Sequence, residues 1–221
     1  MGDNGTWSAT KGGSAEALVD SFVLPENQLK DLTWDESKVW VLMGDHVWSL
    51  NPATRQWASH PTPGYYSDGI TFDGSHLPVG DGPWGTHKIY RLSPGTMTIL
   101  PTPGSCQITG LAFDGSHFRC ADGNYARHQL FEVTPSGAVV DSADCEGSIL
   151  GGFTFDGATL WYAAWDAGHT RIYQCDTAGQ TMTSFPTPGS SSGMGSGLAF
   201  GNGHLWYSDG VTDVIYEMDT S

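Results

Sequence analysis

Two residue types that can do chemistry recur in register along this 221-residue chain. An aspartate follows a short apolar run at Asp45, Asp81, Asp122, Asp166 and Asp209. Carboxylates gathered at one mouth suit Ca²⁺ or Mg²⁺, which as hard cations prefer oxygen ligands. The plainer reading is an Asx-type turn in which each carboxylate caps backbone N–H groups, and presence in every copy points that way. His87 in THKIY and His128 in RHQLF each stand six residues after such an Asp. Imidazole serves near neutral pH as acid, base or metal ligand, so this pair is the catalytic candidate. A third set is aromatic: Trp84, Tyr125 and Trp165 read as loop residues, with Tyr65, Tyr66 and Asp68 in a neighbouring loop. Aromatic faces beside carboxylates suit sugar rings, which present C–H patches and hydroxyls together. The four cysteines match no zinc spacing, since paired thiolate ligands sit two to four residues apart. Cys106 and Cys145 fall in loops of adjacent copies, where a disulfide is feasible if the Cα atoms come within about 7 Å.

The elements that must position these residues are repeats. LTWDES, ITFDGS, LAFDGS, FTFDGA and LAFGNG align, and their anchors Asp35, Asp73, Asp114, Asp156 and Gly201 are 38, 41, 42 and 45 residues apart. Five copies at such a period are blades of a propeller. Each copy reads as four strands, a to d: the anchored run, a run such as TLWYAA, an alternating run such as IYRL, and a run ending at Ser59, Leu100, Val140 or Phe185. The a–b turns carry DG or GNG, whose backbone must reach positive φ. The fifth copy has no strand d, whereas an orphan strand, Val19–Leu24, precedes the first. The expected fold is therefore all-β, a five-bladed β-propeller of four-stranded blades, with Val19–Leu24 closing the last blade on Val214–Met218 and removing both sheet edges. Residues 1–17 read as a disordered leader and 18–221 as one propeller domain. The d–a and b–c loops share one face; the d–a loops read as PENQLKD, PTPGYYSDG, PTPGSCQITG, ADCEGSILGG and PTPGSSSGMGSG.

A formal net charge of −15 argues against nucleic acid or an anionic membrane as partner, because both require a basic surface. No apolar run approaches a membrane span, and the N-terminus lacks the apolar region of a signal peptide, leaving a secreted or a cytoplasmic location open. Nothing in the pattern separates monomer from homo-oligomer.

KIYRLSPGTMTILPTPG (88–104) followed by GLAFDGSHF (110–118) resembles the repeats of the streptogramin (virginiamycin B) lyase-like propellers, and more loosely the NHL and gluconolactonase-like ones. The lyase resemblance implies histidines, an acid and magnesium on the channel face. The GL-x-F-DG strand is also shared with plant-type glutaminyl cyclases, for which the resemblance implies dependence on a central Glu. The function expected is a non-catalytic ligand-binding propeller taking a glycan or another small polar molecule on its channel face. The alternatives are a metal-assisted lyase or hydrolase using His87 and His128, with Ca²⁺ or Mg²⁺ at Asp81, Asp122, Asp166 and Asp209, and a protein-interaction scaffold.

Overall fold

The computed structural model describes residues 17–44, 46–61, 67–82, 88–93, 96–101, 106–123, 129–166, 168–189 and 197–220. Strand β1 (Ala17–Val23) opens the chain. Blade one follows as β2 (Leu29–Trp34), β3 (Val39–Met43), β4 (His46–Asn51) and β5 (Gln56–Pro61). Blade two is β6 (Ser67–Ile70), β7 (Leu77–Asp81), β8 (Lys88–Ser93) and β9 (Thr96–Pro101). Blade three is β10 (Ile108–Phe113), β11 (Phe118–Asp122), β12 (Gln129–Val133) and β13 (Val139–Asp144). Blade four is β14 (Ser148–Phe155), β15 (Leu160–Asp166), β16 (His169–Cys175) and β17 (Thr181–Pro186). Blade five is β18 (Leu198–Gly201), β19 (His204–Asp209) and β20 (Val214–Asp219), and its fourth strand is β1, in the order β1-β20-β19-β18. The register runs from Ala17 opposite Asp219 to Val23 opposite Val214, the closure expected from the sequence. The chain is thus an all-β propeller of five four-stranded antiparallel blades.

The inner strands form the ring: β2 packs on β6, β6 on β10, β10 on β14, β14 on β18 and β18 on β2. A strand flanked by two neighbouring blades must be apolar on both faces, which is why this one lacks alternation. Five packed clusters fill the seams between blades. The blade five–one seam holds Phe22, Leu32, Val41 and Trp206, with Trp34 stacked on Trp206 at 5.7 Å. Among the described residues, the blade one–two seam buries Leu42, Val47, Ile70 and Val79, with Trp40 and Leu77 packed against them.

The a–b turns show why DG recurs. Asp73 Oδ1 accepts from Ser75 N and His76 N, and Asp114 Oδ1 from Ser116 N and His117 N, while Gly74 and Gly115 sit at φ 89° and 94°. Blade five departs because Trp34 lies over Gly201, where an added Cβ would meet the ring at 2.1 Å. Its Trp206 Nε1 donates instead to the Gly201 carbonyl, the bond that Trp161 makes to the Asp156 carboxylate in blade four.

Several boundaries differ from the sequence reading, the closing strand among them, which spans Ala17–Val23 in place of Val19–Leu24. The run taken to end at Val140 begins at Val139 and continues to Asp144, because the turn from Thr134 to Ala138, with Gly137 at φ 87°, delays it. Its polar residues, VVDSAD, suit a strand that is almost wholly exposed, so they gave no apolar signal. Trp165 and Asp166 are not in a loop: they pair with Thr170 and His169 in the β15–β16 ladder. Most inner strands also begin before their apolar run, so that Lys30 and Asp31, read as loop, belong to β2.

Candidate functional site

At one register position the inner strands carry Asp31, Gly69, Gly110, Gly152 and Gly197. The glycines are required by contact. A Cβ on Gly152 would stand 2.2 Å from Leu198 N, and one on Gly197 would stand 2.6 Å from Asp31 Cα, both backbone atoms that cannot move aside. The strands therefore converge where no side chain fits between them, except in blade one. There Asp31 is fully buried, and its carboxylate lies among backbone N–H groups of several blades. Oδ2 accepts from Ile70 N at 3.0 Å and Oδ1 from Leu198 N at 3.4 Å, with the N–H groups of Leu32 and Leu111 also near the carboxyl. Burial pushes the Asp31 pKa well above the usual carboxylate value, while these donors act in the opposite sense.

The residues just before this ring, on the side of the d–a loops, differ from blade to blade: Lys30, Asp68, Thr109 and Gly151. Lys30 Nζ lies 2.9 Å from Asp68 Oδ1, with side chains 41% and 17% exposed. Asp68 rests against the backbone of Gly82, where a Cβ would meet its carboxylate. Thr109 rests in the same way against Gly123.

Of the residues singled out from sequence, Asp45, Tyr65, Tyr66, Trp84, His87, Tyr125 and His128 lie outside the described residues. Asp81, Asp122 and Asp209 are buried at the ends of their strands. Asp122 accepts from Gln107 N at 3.0 Å; Asp209 accepts from Val211 N at 2.9 Å and from the Thr212 hydroxyl at 2.9 Å. Asp166 accepts from the Tyr173 hydroxyl, whose ring stacks on Tyr162 at 5.0 Å. Trp165 is half-buried.

Among the described residues, the one group with metal-ligand atoms mutually within 4.8 Å is Asp114, His117 and Glu132, beside an a–b turn on the opposite face. Arg119 already bridges its carboxylates, 2.9 Å from Asp114 Oδ2 and 2.9 Å from Glu132 Oε2, so the cation that these acids need is supplied by the chain. No disulfide joins any of the four cysteines. Cys106 is buried in the blade two–three seam and Cys145 packs against the blade three–four seam, so the pairing considered from sequence is not made. Burial pushes the thiols of Cys120, Cys145 and Cys175 up to about 12, which suits packing and not nucleophilic attack.

The chain matches no protein-family model and no curated protein. Solved structures do resemble it. The glutaminyl cyclase of Myxococcus xanthus superposes with TM-score 0.73 at 12% identity, over 92% of this chain and 95% of that one. The calcium-binding protein regucalcin of Agrobacterium tumefaciens superposes with TM-score 0.58 at 15% identity, over 91% and 93%. At such identities the likeness is one of fold. Both share the propeller fold expected from the repeats.

The residues missed by sequence reasoning are Lys30 and Asp31. The signal was present: Asp31 stands in a column that is otherwise glycine, and a column that departs in one copy marks a special position.

Proposed function

We propose that this chain is a non-catalytic propeller that binds a small, hydroxyl-rich ligand such as a glycan at the d–a and b–c face. The observation that carries this is the contrast between two successive registers. The ring of four glycines and Asp31 repeats, as a packing position must, whereas Lys30, Asp68, Thr109 and Gly151 do not repeat. The part-exposed Lys30–Asp68 pair offers a donor and an acceptor side by side, an arrangement that matches a vicinal diol. Tyr65, Tyr66, Trp84 and Tyr125 stand in the same set of loops in sequence and supply the aromatic faces a sugar ring would stack on. Asp31, the most deeply buried acid near this face, has both oxygens occupied by backbone donors, which supports binding over catalysis. The streptogramin lyase-like resemblance is accordingly taken to describe blade type.

A glycan array probed with the intact protein is expected to show selective binding that Lys30→Ala, Asp68→Asn and Trp84→Ala each reduce about tenfold or more, with the fold retained. An array without binding overturns the glycan reading. Release of ammonia from an N-terminal glutaminyl peptide would replace the binding reading with the reaction named for the Myxococcus neighbour.

A further inference from the structure

The innermost strand of each blade has no partner on its axial side, so alternate N–H groups point into the channel without a ladder acceptor. In this chain those of Ile70 and Leu198, from blades two and five, donate to one carboxyl group of blade one, and the N–H groups of Leu32 and Leu111 lie near it. Both bonds are accepted by Asp31. Inward N–H dipoles are electropositive at their focus in the way that a backbone nest is, and their natural guest is a group with acceptor oxygens, such as a carboxyl. The four glycines keep the ring narrow, since a Cβ at three of them would lie 2.6 Å or less from a neighbouring backbone atom. We propose that the axis of this propeller is a binding site for a small carboxylic acid or its carboxylate, and that Asp31 fills it in place of a free ligand.

The placement gives the occupant a task. Asp31 belongs to blade one, and it bonds forward to Ile70 and backward to Leu198. It thereby fastens blade one to both neighbours. A hydrophobic side chain at this position would fill space but leave the N–H groups buried and unpaired, a substantial cost for each. Glycine in all five copies would leave the cradle to solvent anions. One acidic copy among four glycines therefore supplies the whole ring with a single acceptor. The proposal does not rest on ligand binding at the loop face.

The experiment is thermal unfolding of Asp31→Gly in sodium formate, against sodium benzenesulfonate at equal ionic strength, whose anion is too bulky for the ring. Without formate the variant is expected to melt about 10 °C or more below the parent chain. Formate should recover much of that loss in a saturable way and leave the parent chain unchanged. Asp31→Asn, whose amide occupies the cradle but brings its own N–H donors, should be destabilised and insensitive to formate. If Asp31→Gly melts with the parent chain, if formate shifts both alike, or if Asp31→Asn is as stable as the parent, the proposal is overturned. Should Asp31→Gly not fold alone, dilution from denaturant decides: cooperative refolding in formate and not in benzenesulfonate supports the anion site, and no recovery in either overturns it.

Discussion

Glu36 occupies the turn position held by Gly74, Gly115 and Gly157 in the next three blades, and it does so at φ 76°. A side chain with a Cβ is strained in that region, whereas nothing approaches within 4 Å of a Cβ placed at the three glycines, so the turn selects glycine through backbone conformation and not through space. Glu36→Gly is therefore expected to stabilise the chain by about 1 kcal/mol, a rise of about 2–4 °C in melting temperature. Calorimetry checks this, and an unchanged or lower melting temperature would show that Glu36 makes a compensating contact. The glycines of the axial ring are selected differently. There the backbone of the next strand stands where the Cβ would be, as at Gly152. Both kinds of glycine look alike in sequence, and only the fold separates them.

At the scale of the element, β1 carries the closure. Phe22 is its buried side chain, tilted against Trp206 at 5.8 Å and covered by the Arg55 guanidinium 4.7 Å from its ring, while Arg55 also pairs with Asp20. Phe22→Ala should cost about 3 kcal/mol, read as a fall in the denaturation midpoint with the slope retained. A smaller loss, within about 1 kcal/mol, would mean that blade five holds without its borrowed strand. The existence of β1 and its partner were legible because an unpaired copy at one end and an orphan strand at the other leave one economical solution. The starts of the inner strands were not. Their first residues, such as Lys30–Asp31 and Ser67–Gly69, are polar or small because they border the channel, and hydrophobic periodicity does not register them.

For the whole molecule, the acidic balance has a pH signature with two limbs. Asp35, Asp73, Asp114 and Asp156 are partly desolvated, which alone would raise their pKa values, but the turn N–H and side-chain donors outweigh burial and hold all four below the ordinary value, Asp114 at about 2. Their stabilisation is complete above about pH 4 and is lost as pH falls through the folded-state values. Asp31 has the opposite sign. Burial raises its pKa, so its contribution is greatest below about pH 4 and declines as pH rises through the raised value. Melting temperature followed against pH should show Asp114→Asn flattening the limb below pH 4 and Asp31→Asn flattening the limb above it, both limbs being set by the unfolded carboxylate pKa of about 4. Identical slopes in parent and variant would remove the corresponding assignment.

The sequence by itself determined the blade count, the four-strand unit, the closing strand and the turn aspartates, because each is a local pattern repeated in register and repetition exposes it. Only the tertiary structure decided that Trp165 belongs to a ladder, that Cys106 and Cys145 serve different seams, and that the residue of greatest consequence is Asp31. The physical reason is convergence. The N–H groups bonded to that carboxyl come from residues as far apart as Ile70 and Leu198, and their meeting on one axis is a property of the closed ring, which no stretch of the chain contains.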